Sequence, residues 1–464
     1  MSSSDTANAL AGLWRVAGHD DAALSSAELT GAEPVLPSSF AVGTAAQATI
    51  AASALAAGEL WRLRTGRRQH VTIDMRAAAI EFRSERYLRV DGKAPAEYHD
   101  SIAGLYCCGD GRWVRLHTNL PHHCSGLLGL LGCEHDRGAV QRTLDRWKAE
   151  KLEDAAAAAG LVVTACRSFA EWDAHPQGQA VAALPPFSIE QINDAPAKPL
   201  PAAERPLAGV KVLDLTRIIA GPVCGRTLAA HGADVLLVTA SHLPSMRPLV
   251  IDTGRGKVST SIDLRQASGR ETLAALVRDA DVFVQGYRPG AVAALRFGPE
   301  ETAKLRPGII YVSLCAYGHA GPWAERRGFD SLVQTASGFN AAEAQAFGQS
   351  KPRELPAQEL DHATGYLLAF ATMTALKRRA ERGGSWHVRC SLAQTGSWLR
   401  SLGRIDGVHC PDPRSADVRD LLEELPSGFG QLTTVRHAAT MSETPPRWER
   451  PSVPLGTHPP AWPA

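Results

Sequence analysis

The pattern of apolar and polar positions divides the chain into two regions of different character. Before about residue 186, Ala-rich apolar runs predict helices, and the longest, Val42 to Leu63, has no proline and is followed by Thr65-Gly66, a plausible C-cap. A short alternating stretch, Gln69 to Asp74, then predicts a strand. After about residue 206, short apolar runs typical of buried strands alternate with helical stretches.

The second region predicts a parallel sheet. Its expected elements are strands at 210–215, 234–238, 281–284 and 309–314 and helices at 225–230 and 268–279. This alternation is typical of βαβ units, so the predicted fold class is α/β, with a Rossmann-like, doubly wound large domain. The loop from Thr216 to Pro222 follows the first strand, where open sheets place ligands. It lacks the G-x-G-x-x-G pattern of dinucleotide sites, so NAD is not expected.

These changes of pattern predict six segments. The small α+β domain among them has a turn at 109–111, a strand at 112–117 and a helix at 144–159. The linker is recognised by Pro196, Pro199, Pro201 and Pro206 and by its shortage of large apolar residues. The segments are a loose N-terminal segment (1–40), a helix–strand segment (41–99), the small domain (100–185), a Pro-rich linker (186–206), the large domain (207–402) and a C-terminal extension (403–464).

Composition narrows the class of protein and its partners. The chain has 464 residues, 44% of them hydrophobic and 21% charged, with a net charge of +1, so neither nucleic acid nor an anionic membrane is an expected partner. No apolar run is long enough to span a bilayer, and no secretory signal is recognised at the start. Nine scattered cysteines, without C-x2-C spacing, predict a reduced cytoplasmic protein with neither disulfides nor a metal site.

Asp361 is the strongest candidate for chemistry. It lies in Glu359-Leu360-Asp361-His362-Ala363-Thr364-Gly365, just ahead of an apolar run, Tyr366 to Leu376, that predicts a helix. A carboxylate at a helix N-terminus suits a nucleophile, because the backbone N–H groups there stabilise developing negative charge. The alternative is that Asp361 only caps its helix.

An internal repeat also runs through the chain. Arg64 to Asp74 parallels Glu381 to Ser391, which places His70 opposite His387 at an offset of 317 residues. A long predicted helix precedes the motif in both copies. At the same offset Asp361 falls opposite Thr44, so the first copy lacks the carboxylate.

Six motifs follow one another from the end of the linker onwards. They are Pro206–Pro222, His231–Val235, Gly254–Lys257 with Ile262–Leu264, Asp279–Val282 with Tyr287–Gly290, Tyr311–Ser313 and Tyr317–Pro322. In these motifs and their order the sequence resembles the class III CoA-transferase family, which includes formyl-CoA transferase, carnitine CoA-transferase and α-methylacyl-CoA racemase. Residues 42–190 resemble the later part of the family fold, so the resemblance implies that fold in a rearranged or partly duplicated order.

The resemblance implies a role for five residues. Asp361 matches the family's nucleophilic aspartate, which forms an acyl anhydride and then an aspartyl-CoA thioester. Lys257 and Arg327 fall where the family places cations against the phosphates of CoA, and Arg217 and Ile219 match the loop that lines the CoA site. The resemblance implies CoA as a substrate, an acyl-CoA donor, a carboxylic acid acceptor and no permanently bound cofactor.

Two alternatives to a CoA-transferase remain open at this stage. The racemase branch moves a proton with the histidine of a Gly-His-Asp motif, but the matching residues here are Gly328-Phe329-Asp330, and phenylalanine carries no proton. A non-catalytic, degenerate subunit is the second alternative, because Thr44 replaces the aspartate in the first copy. The resemblance also implies an interlocked homodimer. We expect the small domain of one subunit to cover Asp361 of the other, because the short Pro-rich linker disfavours folding back within one chain.

Overall fold

Seventeen α-helices and sixteen strands lie within the residues that the computed structural model describes, 3–96 and 99–463. The helices are α1 (Ser3–Val16), α2 (Val42–Thr65), α3 (Met75–Glu81), α4 (Ser84–Tyr87), α5 (Pro121–Leu131), α6 (Arg137–Leu144), α7 (Ala149–Ala158), α8 (Phe169–Ala174), α9 (Pro176–Ala182), α10 (Ala220–Ala230), α11 (Arg247–Thr253), α12 (Ala267–Asp279), α13 (Pro299–Leu305), α14 (Asp330–Ala336), α15 (Phe339–Ala346), α16 (Glu359–Arg382) and α17 (Leu392–Ser401). The strands are β1 (Ala27–Thr30), β2 (Val71–Asp74), β3 (Arg89–Val90), β4 (Gly104–Cys107), β5 (Trp113–Leu116), β6 (Val163–Ala165), β7 (Phe187–Asn193), β8 (Lys211–Leu215), β9 (Asp234–Thr239), β10 (Lys257–Ser261), β11 (Val282–Gln285), β12 (Ile310–Cys315), β13 (Ser385–Ser391), β14 (Leu422–Ser427), β15 (Gly430–Val435) and β16 (Ala439–Met441). Short 3₁₀ helices lie at Asp21–Ser26, Ala293–Leu295 and Ser415–Leu421.

A seven-stranded sheet forms the core of the large domain, in the order β10-β9-β8-β11-β12-β13-β7. The first six strands are parallel and β7 is antiparallel to β13. Alternate residues of one strand lie in different cores: Val212 packs in one cluster and Leu213 in the other, as expected for a sheet covered on both faces. The predicted α/β class is therefore confirmed.

The strand order reverses beside β8, whose neighbours are β9 on one side and β11 on the other. The carboxyl end of β8 thus lies at a topological switch point, where open α/β sheets form a crevice for ligands. The chain continues from this end through residues 216–219 into α10.

The linker prediction was wrong for part of its length. Residues 187–193 form β7, which pairs with β13 from Cys390–Phe187 to Ser385–Asn193. Phe187 is buried in the core and anchors this segment in the sheet. The strand was missed in the sequence because prolines lie on both sides of it, and prolines are rare within strands.

The internal repeat is present in the structure. Helices α2 and α16 each span 24 residues, and both ends are shifted by 317 positions (359 − 42 and 382 − 65). Gly66 and Gly383 follow the two helices, and β2 and β13 come next in the chain. The two strands also have equivalent neighbours: β2 lies between parallel β1 and antiparallel β16, and β13 between parallel β12 and antiparallel β7.

The two copies interlock within the chain. Strand β7 comes after the first copy but joins the sheet of the second, whereas β16 comes after the second copy and joins the sheet of the first. Helices α2 and α16 pack directly against each other, and both are buried over most of their length. A single chain therefore contains the exchange of elements that was expected between two subunits.

The small domain has a hydrophobic core of its own. Its sheet, in the order β4-β5-β6, packs with α5, α6 and α7 around Tyr106, Val114, Leu127 and Leu152. The helix expected at 144–159 is shorter than predicted, because α6 ends at Leu144 and a turn separates it from α7.

Both end segments are packed against the rest of the chain. Residues 3–16, expected to be loose, form α1, which buries Leu10, Leu13 and Trp14. The C-terminal extension supplies β14, β15 and β16, and its Trp448 ring lies 4.0 Å below the Arg255 guanidinium. Within the described ranges, no helix has both the length and the apolar character needed to cross a membrane. The nine cysteines all fall in these ranges and are free thiols.

Candidate functional site

Asp361 occupies the third position of α16 and is 6% exposed. The helix begins at Glu359, two residues before Asp361 and seven before the predicted start. Gln358 holds the N-cap position, so Asp361 is not the cap. The backbone N–H of Asp361 donates to the Asp330 carboxylate at 2.9 Å. The backbone N–H of Ala220, the first residue of α10, acts to lower the pKa of the Asp361 carboxyl group.

Close packing of α16 against α10 brings these groups together. A Cβ atom at Gly365 would lie 2.6 Å from the carbonyl oxygen of Ala220 and 2.7 Å from the side chain of Val223. Only glycine permits this approach, one turn after Asp361. The glycine of the sequence motif therefore sets the distance between the aspartate and the loop after β8.

We expect Gly365→Ala to lower the free energy of unfolding by roughly 1–3 kcal/mol, because the added methyl must push α16 away from α10. Any reaction in which Asp361 takes part should slow as well, since the shift moves that side chain. Gly58→Ala is the matched control: it lies in the equivalent helix α2, and its nearest neighbour is the Gln69 side chain at 3.8 Å. That change should be neutral or stabilising by about 1 kcal/mol. Urea unfolding measures both, and equal behaviour of the two variants would contradict the packing argument.

Buried carboxylates surround Asp361. Burial raises the pKa of Asp361 well above its usual range, and the negative charges of Asp330 and Glu85 raise it further. Burial also raises the pKa of Asp330 to about 6, although hydrogen bonds from the backbone of Asp361 and from Gln334 oppose the shift. The Asp330–Asp361 pair can therefore hold a proton near neutral pH.

A cavity of about 360 Å³ lies against Asp361. The large domain contributes apolar side chains and four polar residues, and they are Ile218, Ile219, Met246, Leu249, Phe329, Ser331, Glu354, Gln358 and Asp361. The small domain contributes Asp100, Ala103, Gly104, Arg115, Leu116, His117 and Asn119. The Asp361 cavity is thus lined by two domains of one chain.

This arrangement corrects the expectation that the small domain of a second subunit must cover Asp361. The Pro-rich segment does not have to turn the small domain back by itself. Helices α8 and α9 and then strand β7 carry the chain from the small domain into the sheet of the large domain. Arg167, which follows β6, donates its backbone N–H to Thr335 of α14 at 3.2 Å and so fixes the two domains together.

A second cavity, of about 420 Å³, adjoins the first, and Ile218 and Phe329 line both. We call it the arginine cavity, because four arginines line it: Arg217, Arg288, Arg326 and Arg327. Arg327 is exposed, and its Nη1 donates to the Gly160 carbonyl of the small domain at 2.7 Å. Burial lowers the pKa of Arg217, which lies on the loop after β8. The cavity has the charge needed to bind an anion such as a phosphate.

Lys257 does not line either cavity. It is 2% exposed, and its Nζ donates to Asp214 Oδ2 and to the Pro222 carbonyl, both at 2.8 Å. Asp214 in turn accepts from the backbone N–H of Thr216 at 2.9 Å. The prediction that Lys257 binds phosphate therefore conflicts with its placement, because its ammonium is enclosed by β8 and α10. It holds the loop that carries Arg217 and Ile219.

Sequence reasoning missed Ile218, which lines both cavities and has a φ angle of 76°. A β-branched residue in the left-handed region is a genuine outlier, and such strain persists only where the surroundings impose it. Nothing in an apolar Ile-Ile pair signals this conformation. Ile219, which the resemblance did indicate, is 4% exposed and lines the Asp361 cavity.

Two histidines of the small domain were also missed as site residues. The His117 ring stacks on Phe329 with 3.9 Å between centroids, and His123 contacts the same ring edge-on at 6.0 Å. Burial lowers the pKa of each to about 3, so both imidazoles are neutral at physiological pH. His117 lines the Asp361 cavity and His123 the arginine cavity. Their link to Phe329 depends on tertiary contacts that residue spacing does not reveal.

Within the described ranges, one group of side chains has ligand atoms close enough to hold a metal ion. It consists of Asp100, Cys124 and His135, with all ligand atoms within 4.8 Å. Asp100 Oδ2 and His135 Nε2 are already joined by a hydrogen bond of 2.8 Å, which explains why these two of the three residues lie close together. We assign no metal to this group.

The doubly wound sheet, its switch point and a buried aspartate that lines one of two adjoining cavities form the arrangement expected from the family resemblance. The chain belongs to CoA-transferase family III, whose family model matches residues 4–198 and 207–403.

The curated proteins that are similar in sequence to this chain include three transferases. An acetyl-coenzyme A transferase of Hypoxylon pulicicidum is 34% identical over 334 residues, which cover 66% of this chain and 55% of that protein. A probable fatty acyl-CoA transferase of Mycobacterium tuberculosis is 34% identical over 192 residues, 39% of this chain and 48% of that protein. The formyl-CoA:oxalate CoA-transferase of Escherichia coli is 28% identical over 233 residues, 48% of this chain and 54% of that protein.

The chain spans about half the length of the curated relatives it matches. Among solved structures, that of a hypothetical protein from Mycobacterium tuberculosis is 32% identical and aligns with a TM-score of 0.40, covering 43% of this chain and 58% of that one.

Proposed function

We propose that the chain transfers CoA from an acyl-CoA donor to a carboxylic acid acceptor, with Asp361 as the nucleophile. One observation carries the proposal: within a chain of CoA-transferase family III, a buried carboxylate at a helix start lines a cavity that adjoins a cluster of arginines. A carboxylate held there can attack a thioester and leave again, which divides one acyl exchange into easier steps.

The proposed reaction has four steps. The Asp361 carboxylate attacks the thioester carbonyl, forming a mixed anhydride and releasing CoA thiolate. The thiolate attacks the aspartyl carbonyl, giving an aspartyl-CoA thioester and freeing the donor acid. The acceptor carboxylate then attacks this thioester, forming a second anhydride and releasing thiolate, which attacks the acceptor acyl carbonyl. Acceptor acyl-CoA leaves and the Asp361 carboxylate is restored.

Backbone and arginine groups support these steps. The backbone N–H of Ala220, which lowers the pKa of Asp361, would stabilise negative charge that develops on the Asp361 carboxyl oxygens during the reaction. Arg217 and Arg327, together with Arg288 and Arg326, would bind the phosphates of CoA in the arginine cavity. Ile219 would pack against the thioester end. CoA is a substrate in this scheme, and no permanent cofactor takes part.

The proposal is tested by trapping the acyl-enzyme. The protein is incubated with a panel of acyl-CoAs and hydroxylamine, and its peptides are examined by mass spectrometry. We expect a hydroxamate on Asp361 only when acyl-CoA is present. A modified residue other than Asp361 would refute the assignment, and transfer without any trapped aspartate would refute the covalent mechanism.

The pH dependence of transfer provides a second test. Because only the ionised Asp361 attacks, and because burial and the Asp330 charge raise its pKa, activity should rise with pH through the neutral range. Asp330→Asn removes the second of these causes, so the acid limb should move to lower pH. Asp173→Asn, which alters an exposed ion pair with Arg400, is the control and should leave the profile unchanged. An acid limb that stays in place in Asp330→Asn would contradict the coupling.

The racemase and degenerate-subunit alternatives make different predictions in these experiments. A racemase would exchange the α-proton of an acyl-CoA for deuterium without needing an acceptor acid, and a degenerate subunit would form no hydroxamate. Homodimer formation stays a prediction, to be tested by light scattering of the active protein. We also propose a cytoplasmic location, since all nine cysteines are free thiols.

A further inference from the structure

We propose that Glu85, held in place by His362, is a positioning residue that destabilises the ionised form of Asp361 and so favours the acylated enzyme. This inference rests on the proposed transfer function and adds to it a residue that acts on the nucleophile through its charge. Glu85 belongs to the segment that follows the first copy of the repeat, whereas Asp361 lies in the second copy.

Glu85 is a carboxylate enclosed beside the start of α16. It lies on α4 and its side chain is only 7% exposed. The Nε2–H of His362, the residue after Asp361, donates to Glu85 Oε2 at 3.3 Å, and the Phe82 ring stacks on the His362 ring with 5.4 Å between centroids. Although burial acts to raise the pKa of Glu85, the hydrogen bond and electrostatic attraction of His362 lower it below its usual value. The Glu85 carboxyl group is therefore ionised at neutral pH.

The internal repeat extends into the helices that follow the two strands. Asp74 caps α3 by accepting from the backbone N–H of Ala77, and Ser391 caps α17 by accepting from that of Gln394. The two caps are again 317 residues apart (391 − 74). Positions in these helices can therefore be compared between the two halves.

The other half of the repeat has no charge at the equivalent positions. At the same offset Asp361, His362 and Glu85 correspond to Thr44, Ala45 and Leu402. Thr44 and Leu402 line one cavity of about 440 Å³, so this half also brings the start of the long helix close to the segment from the opposite copy. Because neutral residues make the equivalent contact, packing alone does not require the charges of Glu85 and His362. Burial of such a pair costs desolvation free energy, and the pair occurs where the nucleophile is.

The charge of Glu85 acts on Asp361 only while Asp361 is ionised. Burial raises the pKa of Asp361, and the charges of Asp330 and Glu85 raise it further. When the Asp361 carboxylate reacts with acyl-CoA to give the aspartyl-CoA thioester, its negative charge leaves with the donor carboxylate. The repulsion by Glu85 is then relieved, which favours the thioester over the free carboxylate.

Several other charged groups surround this pair of carboxylates. On the neighbouring helices they are Asp330 of α14, Glu359 of α16, Asp252 of α11 and Arg86 of α4, which lies 3.9 Å from Glu85 but is 40% exposed. Across the cavity they are His99, Asp100, Arg115, His117 and Glu354. A variant of Glu85 therefore changes one charge among several, so we expect a partial effect on Asp361.

The test measures the equilibrium between free enzyme and thioester. Glu85→Gln can still accept from His362 but has no charge. Both proteins are incubated with the same acyl-CoA and free donor acid, above the acid limb of each, then quenched in acid and analysed by intact mass spectrometry. We expect the ratio of thioester to free enzyme to fall by roughly threefold or more in the variant.

The pH profile gives a second value for the same interaction. Without the Glu85 charge the pKa of Asp361 is lower, so the acid limb of transfer should move to lower pH. A limb shift of about one pH unit should accompany a roughly tenfold fall in the thioester ratio, because protonated and acylated Asp361 are both neutral. Affinity for an unreactive thioether analogue of acyl-CoA should not change. A purely structural role for Glu85 would not produce this match.

Two further variants keep the test decisive. The double variant Glu85→Leu with His362→Ala reproduces the pair used by the other half, so it should fold and show the same two changes. Glu59→Gln is the matched control, because Glu59 is similarly enclosed at 10% exposure but pairs with Arg62 and Arg68 and lines neither cavity. Its thioester ratio and acid limb should equal those of the wild type.

Two failures of the experiment are distinguishable. Wild-type values of the thioester ratio and acid limb in both Glu85→Gln and the double variant would overturn the inference, as would lost activity without either change. The transferase proposal would stand in those cases, because the wild type forms the thioester and transfers CoA. A wild-type protein that forms neither thioester nor hydroxamate would instead defeat the transferase proposal, and this inference with it.

Discussion

Asp361→Asn is expected to reduce CoA transfer by at least roughly 1,000-fold while raising the stability of the protein. The amide keeps the shape of the carboxyl group but cannot act as the nucleophile. Acyl-CoA exchange with a free acid measures the first effect, and Asp361→Ala serves as a second variant that cannot revert by deamidation. Activity within tenfold of wild type in both variants would exclude Asp361 as the nucleophile.

The stability effect follows from the pKa of the same group. Burial and the neighbouring carboxylates raise the pKa of Asp361 in the folded state, so that state binds the proton more tightly than the unfolded chain does. Stability is therefore lost as pH rises above the usual carboxyl range, and the neutral asparagine avoids this loss. We expect a gain of about 1 kcal/mol at neutral pH that grows with pH, measured by urea unfolding. A less stable Asp361→Asn protein at pH 8 would contradict this account.

Asp252→Ala is expected to destabilise the protein by roughly 3–5 kcal/mol. The Asp252 carboxylate is 1% exposed, and Arg226 pairs with Oδ2 at 2.8 Å and Arg255 with Oδ1 at 3.2 Å. Ser84, in the segment that follows the first copy of the repeat, donates to the same carboxylate at 2.7 Å. Removal of Asp252 leaves two buried guanidinium groups without this partner and breaks a link between that segment and the large domain.

The control for this prediction is an ion pair on the surface of α16. Lys377 and Glu381 lie one turn apart, and Glu381→Ala should cost no more than about 0.5 kcal/mol. Urea denaturation midpoints compare the two variants. A change in stability for Asp252→Ala as small as that of the control would mean that the buried network contributes nothing to the stability of the fold.

The pattern of apolar and polar residues alone was sufficient to predict much of the secondary structure of the large domain. The buried strands around Leu236 and Val284 contain short continuous apolar runs, which are typical of parallel strands covered on both faces. The repeat was visible for the same reason, because a helix, a glycine and a strand each leave a local signal at the same offset. Asp361 could be singled out because it falls at a helix start beside Gly365, and the family motifs lie in a recognisable order.

Tertiary structure decided which charged groups are available for binding and how the site is enclosed. Lys257 and Arg327 are both cationic, and the sequence alone does not show which of them is accessible. Packing buries Lys257 against Asp214 and leaves Arg327 at the arginine cavity. The left-handed Ile218 and the stacking of His117 on Phe329 depend on contacts between distant segments. The short linker suggested that a second subunit covers Asp361, yet β7 enters the sheet and the same chain encloses the site. The local pattern of residues determines whether a segment forms a helix or a strand, whereas side-chain burial and strand pairing depend on which segments come into contact in the folded chain.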